Sequence, residues 1–411
     1  MSKEMNNTKT PRLRFVEFRE AGEWEVNDFS NYIRLYRGSS PRPIQEYLTQ
    51  SESGVNWIKI GDTKYSVNSI ISKVDEKITP KGAEDSRKVK VGELILANSM
   101  SFGKTYQLAI DGCIYDGWFV LREYEKYFYK PYLLQLLNSE YMQKQYQRLS
   151  AGGIVQNISS EIVYGTMLFC PSIKEQQKIA ACLSSLDELI SAQSEKIKAL
   201  QRHKKGLMQQ LFPAEGETAP RVRFGAFEGE WEIKPLGEVA ENLDSKRIPI
   251  TESERIKGKI PYYGASGIID YVRDFIFDET LLCISEDGAN LVARTYPIAF
   301  TITGKTWINN HAHVLKFKKN YTQVLVENYL NSINLEDYLT GMAQPKLNRA
   351  KLDIIPIPLP RPDEQQKIAT CLTSLDELMA AEGRKLELFK EQKRGLMQGL
   401  FPNDKDVTNG D

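Results

Sequence analysis

The sequence predicts an α+β architecture written twice: two mixed α/β domains, each leading into a long helix, with the two helices paired as an antiparallel coiled coil. Three observations carry this expectation. The segment Glu175–Pro213, EQQKIAACLSSLDELISAQSEKIKALQRHKKGLMQQLFP, returns at Glu364–Pro402 as EQQKIATCLTSLDELMAAEGRKLELFKEQKRGLMQGLFP, gapless at an offset of 189 and identical at 23 of 39 positions. Both copies space apolar residues in alternating steps of four and three, the period of a coiled-coil seam. The stretches upstream of each copy, 30–150 and 240–340, hold short apolar runs and then one amphipathic stretch, and they do not align with each other. The frame is duplicated and its contents differ.

Each half opens on a lead-in. Pro11–Val26 (PRLRFVEFREAGEWEV) and Pro220–Ile233 (PRVRFGAFEGEWEI) both begin P-R-x-R-F and close on G-E-W-E. The first variable block then predicts strands over 57–60, 93–97 and 114–121 and a helix over 132–149. The second predicts strands over 281–285, 298–302 and 314–317 and a helix over 324–339. Strands followed by helices point to largely antiparallel sheets. A third, weaker repeat precedes each long helix: Gly153–Pro171 resembles Gly341–Pro360 in its Gly, its Gln and its final apolar-Pro step.

In the first long repeat the seam falls on Ile179, Leu183, Leu186, Ile190, Ile197, Leu200, Leu207 and Leu211, with Gln193 and Lys204 filling its gaps. In the second it falls on Ile368, Leu372, Leu375, Met379, Leu386, Phe389, Leu396 and Leu400, with Glu382 and Lys393 at the same two places. Polar residues at matched seam positions specify register rather than maximal stability. Pro171 and Pro362 stand before the helices, and Pro213 and Pro402 close them. The expected organisation is a first domain with lead-in over 11–172, a helix over 173–213, a second domain with lead-in over 220–362, a helix over 363–403, and a flexible tail over 404–411.

Composition limits the function. With 411 residues, 41% hydrophobic and 26% charged, the chain is globular and large enough for two to four domains. Lys+Arg and Asp+Glu both number 54, which excludes a strongly basic wrapper of nucleic acid but leaves local patches open. Residues 30–160 carry 17 basic against 13 acidic side chains, and residues 241–350 carry 13 of each. Five cysteines form no CxxC pair and there are three histidines, so disulfide frameworks and zinc fingers read poorly and a reducing cytoplasm fits. The polar N-terminus and the lack of an 18-residue apolar run argue against secretion and membrane spanning.

Catalytic motifs fail one after another. GKT occurs at Gly103–Thr105 and Gly304–Thr306, but a phosphate loop needs a glycine where Asn98 and Ala299 stand. There is no G-x-G-x-x-G and no D/N-P-P-Y/F. Pro362-Asp363 with Glu391-Gln392-Lys393 imitates a nuclease pattern, yet its carboxylates lie 28 residues apart on one helix, about 40 Å. His311 and His313 would share a strand face, without an evident third metal ligand.

What remains is polar loops of the kind that meet base edges and phosphates. In block one these are Ser99, Ser101, Lys104 and Tyr106, with Gln156 from the third repeat. In block two they are Tyr262, Tyr263 and Ser266 of PYYGASGIIDY, read as a glycine-punctuated loop. Lys305, Asn309, Asn310 and His311 of GKTWINNHAHVL follow, with Gln344 and Lys346 from the third repeat. Solvated lysines, core tyrosines and a polar strand end with a buried Trp are the competing structural readings.

The two P-R-x-R-F…G-E-W-E lead-ins, the two E-Q-Q-K-I-A…L-D-E-L helices and YYGASGII…SEDGA…GKTWINNHAHVL resemble the specificity subunit of type I restriction-modification enzymes. The likeness covers about residues 11–402. It implies two target recognition domains, each reading half of a split double-stranded DNA target, and two central helices that space them and hold two methyltransferase subunits. It further implies that this chain binds no cofactor. S-adenosylmethionine belongs to the methyltransferase subunits, and ATP with Mg to two separate motor-nuclease subunits. The alternatives are a chain hiding its own methyltransferase or nuclease centre and a coiled-coil adaptor that binds only proteins.

Overall fold

The computed structural model describes residues 10–99, 103–150, 157–225, 227–341 and 344–402. The chain divides into two compact units, residues 1–195 with 384–411, and residues 196–383. Each is an α+β unit holding one variable block and a stretch of both long helices.

The first unit contains β1 (Glu25–Asp28), β2 (Arg34–Arg37), β3 (Leu48–Thr49), β4 (Val55–Ile58), β5 (Ile70–Ile71), β6 (Glu76–Ile78), β7 (Arg87–Val89), β8 (Leu94–Ala97), β9 (Thr105–Leu108), β10 (Gly112–Ile114), β11 (Trp118–Arg122) and β12 (Met167–Cys170). One sheet runs β2-β11-β8-β9-β5, the other β3-β6-β4-β10-β7, and β1 pairs with β12. The second unit contains β13 (Glu232–Pro235), β14 (Glu241–Asn242), β15 (Lys257–Gly264), β16 (Gly267–Val272), β17 (Phe277–Asp278), β18 (Leu281–Ser285), β19 (Ala299–Ile302), β20 (Lys305–Ile308), β21 (Ala312–Lys316) and β22 (Pro356–Leu359). Its sheets run β14-β21-β18-β19 and β16-β15-β20-β17, and β13 pairs with β22.

The two blocks, unalignable in sequence, share a topology strand for strand. Even the parallel pairs correspond, β4 with β10 and β15 with β20. Among the described residues the second unit shows no counterparts of the edge strands β3 and β5. Most other pairings are antiparallel, as expected, with β5–β9 a third parallel pair.

The central strands read as continuous apolar runs because both faces are covered. Ile95, Ala97, Trp118 and Val120 fill a core between the two sheets. Their neighbours Leu94, Leu96, Phe119 and Leu121 point the other way, into a core shared with the helices. In the second unit Leu281, Cys283, Ala312 and Val314 face the inter-sheet core, while Leu282, Ile284 and Leu315 face the helical one.

Several expected boundaries shift. The run 114–121 is two strands, β10 and β11, in different sheets, because the chain reverses at Tyr115–Gly117. The helix expected over 132–149 is two, Lys130–Leu137 and Glu140–Ser150, broken around Asn138. That over 324–339 is Asn320–Ser332 followed by a 3-10 turn at Glu336–Tyr338. Pro261–Tyr271 is not a loop: it lies in the β15–β16 hairpin, whose tight turn uses Gly267 at φ +116°.

The long helices span Ile173–Leu211 and Pro362–Leu400, 39 residues each, or about 58 Å. Pro362 is the first helical residue rather than its predecessor, as suits a position whose N–H has no helical partner. The helices run antiparallel inside each unit. In the second, Lys196 pairs with Glu382 at 2.5 Å and Lys204 Nζ donates to both Asp376 oxygens at 2.6 and 2.8 Å. In the first, Lys393 Nζ donates to both Asp187 oxygens at 2.6 and 2.7 Å, while Leu400 packs with Ile179 and Leu183. Lys204 and Lys393 are the same repeat position, as are Asp187 and Asp376. The polar seam positions therefore fix the register, each Lys finding the Asp of the facing L-D-E-L. None of the sixteen apolar seam residues is exposed.

The lead-ins lock each helix start. Arg14 grips Glu175 through Nε at 2.7 Å and Nη2 at 2.8 Å and donates Nη1 to the Gly22 carbonyl at 2.6 Å. Arg223 does the same with Glu364 at 2.9 and 2.6 Å and Gly229 at 2.5 Å. Gly22 and Gly229 sit at φ +76° and +85°, which explains the Gly of G-E-W-E. The residue before each arginine binds the C-terminal end of the other long helix: Leu13 N donates to Gly399 O at 2.8 Å and Val222 N to Gln210 O at 3.0 Å.

Candidate nucleic-acid interface

At one edge of the second unit four polar segments converge. They are the β15–β16 turn, Glu286–Gly288 after β18, Asn309–His311 between β20 and β21, and Gln344–Leu347. Backbone bonds hold them: Glu286 N donates to His311 O at 2.9 Å, Leu347 N to Glu286 O at 2.8 Å, and Gly288 N to Pro345 O at 3.2 Å. The β15–β16 turn joins through Ser285 Oγ, which donates to Ala265 O at 2.6 Å.

Beneath them lies a charged cluster. His313 is buried and bridges the Asp244 carboxylate, 2.6 Å from Nδ1, and the Leu347 carbonyl, 2.7 Å from Nε2. Asp244 also accepts Val314 N at 2.8 Å, and Arg247 Nη1 donates to Glu286 at 2.7 Å and to the Ala312 carbonyl at 2.8 Å. Burial works against the charge on Asp244, but the His313 imidazole and the Val314 amide outweigh it and hold the carboxyl below its usual range. Glu286 is likewise held low against burial by Arg247, His313 and Lys346. Among the described residues no group of three or more His, Cys, Asp or Glu could hold a metal ion. This cluster is a clamp for loops.

The clamp presents Ser266, Asn310, His311, Gln344 and Lys346 to solvent. Ser266 meets Tyr296 at 3.0 Å, His311 Nδ1 meets Asp287 at 2.8 Å, and Lys346 Nζ lies 3.2 Å from Glu286. Three expected site residues are instead interior. Tyr262 is buried, with Arg255 over its ring at 4.6 Å, because it lies mid-strand in β15 facing inward. Asn309 is buried and turns its Oδ1 back to accept His311 N at 2.8 Å. Tyr106 is buried edge-on against Trp118 at 5.8 Å. Tyr263 is half-buried and stacks on Phe300 at 6.0 Å. Lys305 is exposed but begins β20, at the opposite end of that strand from Asn309, over Phe275 at 4.7 Å. His311 and His313 do not share a face: His311 precedes β21 and is exposed.

The first unit repeats the convergence with other side chains. Asn98 N donates to Gly117 O at 3.0 Å and Ile158 N to Asn98 O at 2.7 Å, the counterparts of the Glu286 and Leu347 bonds. Tyr115–Gly117 thus stands where Asn309–His311 stands. Half-buried Ser99 and exposed Lys104 lie on the neighbouring loop, Lys104 over the Tyr106 ring at 5.4 Å. Ser101 and Gln156 fall outside the described residues.

Residues 228–389 match the family model for the type I restriction modification DNA specificity domain. A putative type I restriction enzyme specificity subunit of Haemophilus influenzae is 39% identical over 151 residues, 37% of this chain and 38% of that protein's length. A type I restriction enzyme specificity subunit of Methanocaldococcus jannaschii is 24% identical across 99% of this chain and 97% of its own. Over residues 228–389 the chain carries a type I restriction modification DNA specificity domain, and along its whole length it is similar to specificity subunits. The crystal structure of the type I S subunit from M. genitalium shares the fold, with a TM-score of 0.58 at 16% identity over 96% of this chain and 99% of that one.

Two groups at these loop edges escape the sequence reading. The Asp244–Arg247–Glu286–His313 clamp is scattered over 69 positions between its first and last member and leaves no local signature. The Tyr115–Gly117 turn was hidden inside what read as one strand, and the glycine after Asp116 was its only local sign. Among the described residues no helix is long and apolar enough to cross a membrane.

Proposed function

We propose that each unit reads one half of a bipartite double-stranded DNA target through the loop edge just described. The long helices dock the methyltransferase subunits, and motor-nuclease subunits join in the full complex. S-adenosylmethionine, ATP and Mg act on those partners, so this chain contributes recognition and no catalytic group. The observation that supports this reading best is the shared backbone of the two loop edges. The same hydrogen bonds hold Tyr115–Gly117 and Asn309–His311, and the side chains they carry are unrelated. Constant geometry with variable side chains is what direct readout of two different half-sites needs. A protein-only adaptor has no use for the difference.

The test is a methylation map. The chain is co-expressed with its methyltransferase subunit, modified adenines are located by long-read sequencing, and the chain is omitted as control. A split motif that depends on the chain is expected. Exchanging residues 30–150 for another block of the same topology should change one half of that motif and leave the other. A motif altered in both halves, or none from an assembled and cofactor-competent complex, overturns the reading.

A further inference from the structure

The turn Tyr115–Gly117 borders a cavity of about 690 Å³ that nothing in the sequence announced. It opens beside the loop edge of the first unit and is lined by Arg42, Gln45, Trp57, Lys59, Tyr115 and Asp116, among others. Trp57 is buried and forms the floor, edge-on to Tyr115 at 6.5 Å. The wall is fixed by close approach. A Cβ at Gly117 would come within 2.1 Å of the Tyr115 ring, and one at Gly38 within 1.9 Å of the Tyr115 carbonyl oxygen. The Asp116 carbonyl accepts Asn98 Nδ2 at 2.9 Å and Arg37 Nε at 3.2 Å. This wall is set before any ligand arrives.

Two opposite charges stand at its mouth. Ser40 Oγ donates to Asp116 Oδ1 at 2.6 Å, and this bond above all keeps the carboxyl below its ordinary range and therefore ionised at neutral pH. Asp116 Oδ2 meets Arg42 Nη2 at 3.4 Å, where the Arg42 side chain is 80% exposed. Lys59 is engaged by Glu76. A phosphate site would not seat a carboxylate at its centre. An exposed guanidinium fork beside a carboxylate that it touches through one oxygen, at 3.4 Å, instead matches the two bases of one pair. Arg donates to guanine O6 and N7, and Asp accepts from the cytosine N4 amino group.

We propose that this groove is the reading head of the first unit and that Arg42 and Asp116 together read a G·C pair from the major groove. The inference rests on the proposed function and names the residues and the base pair for one half-site. The experiment compares methylation maps of the assembled methyltransferase complex carrying the native chain, Arg42→Ala, Arg42→Lys and Asp116→Asn. The native map must show a G·C pair in one half of a split motif. Arg42→Ala should lower methylation of sites with that pair about tenfold or more relative to sites with other pairs there, leaving the other half intact. Arg42→Lys, which keeps the charge but loses the fork, should retain only part of that discrimination. Asp116→Asn should relax the same position.

The absence of any motif with the native chain would mean the specificity reading itself fails. A native motif unchanged in all three variants would overturn the groove alone. A uniform loss at every site would make Arg42 a phosphate contact, and loss of complex assembly would make the groove a protein-docking surface. Either would overturn base reading. Arg42 lies at the surface, so a melting temperature within about a degree of the native chain should separate recognition from misfolding in Arg42→Ala.

Discussion

At the helix starts the two units are built alike. Arg14 and Arg223 each make a two-pronged bond to a buried glutamate and a third to a glycine carbonyl. Gln176 and Gln365 each donate to a proline carbonyl at 2.8 Å, and Phe401 and Phe212 each end a long helix against a core tyrosine, Tyr132 or Tyr329. At the loop edges only the backbone bonds are shared. One turn carries Tyr115, Asp116 and Gly117, the other Asn309, Asn310 and His311. The contrast locates the two tasks of the chain. Side chains that fix the frame are constrained by one another and recur, whereas the turns hang from shared peptide groups, and each unit packs its own set of side chains on that backbone.

The comparison breaks hardest at the arginine clamps. Glu175 and Glu364 side chains are 2% and 1% exposed. Arg14→Ala leaves Glu175 buried without its counter-charge and should destabilise the first unit by about 3 kcal/mol. Arg223→Ala should do the same to the second. Hydrogen exchange should place each loss in its own unit. Equal losses in both units from either variant would mean that the clamps act on the chain as a whole.

The frame was legible because it is written twice. Heptad spacing identified the seam, and matched polar positions pointed to the register that Asp187–Lys393 and Lys204–Asp376 supply. The sheets were partly legible: β8, β18, β19 and β21 announce themselves as apolar runs, whereas β15 and β16 were obscured by their glycines and by alternation with Lys, Asp and Tyr. The site was least legible. Ranking residues by chemical type selected Tyr106, Tyr262 and Asn309, whose burial is decided by strand pairing far away in sequence. The same ranking passed over Arg42, which gains significance only because β10, β11 and the segment before β3 meet around it.

A smaller effect distinguishes the two loop edges by pH. The Asp244 carboxyl is held below its ordinary range, so its contribution is fully present above about pH 4, the usual carboxylate range, and is lost as acid protonates it through its lower folded value. Asp244→Asn should cost about 1–2 kcal/mol at neutral pH, through weakened bonds to His313 and Val314, and should flatten the acid limb of the melting-temperature profile. Asp116 is also held low, but its side chain is 40% exposed, so Asp116→Asn should flatten that limb less. The reverse order would mean that the buried clamp is not what organises the second loop edge.

The mildest difference lies where each domain helix meets the seam. In the first unit Gln135 Nε2 donates to Asp187 at 2.8 Å, beside Lys393. In the second, the helix Asn320–Ser332 brings Glu327 near Lys204 and Asp376. Burial pushes the Glu327 carboxyl up, and the Thr301 hydroxyl and Lys204 only partly offset it. A raised carboxyl binds its proton more tightly in the folded chain than in the unfolded one. Stability therefore falls as pH rises from the ordinary glutamate range, near 4.3, through the higher folded value. Glu327→Gln, which removes the ionisable group and keeps the size of the side chain, should remove that loss. The expected gain is a few tenths to about 1 kcal/mol at neutral pH, vanishing towards pH 4 where the native carboxyl is itself protonated. Melting curves at pH 4 and pH 7.5 measure it. Parallel profiles for the two proteins would show that the carboxylate keeps its charge comfortably at the seam and that the two units differ there in sequence only.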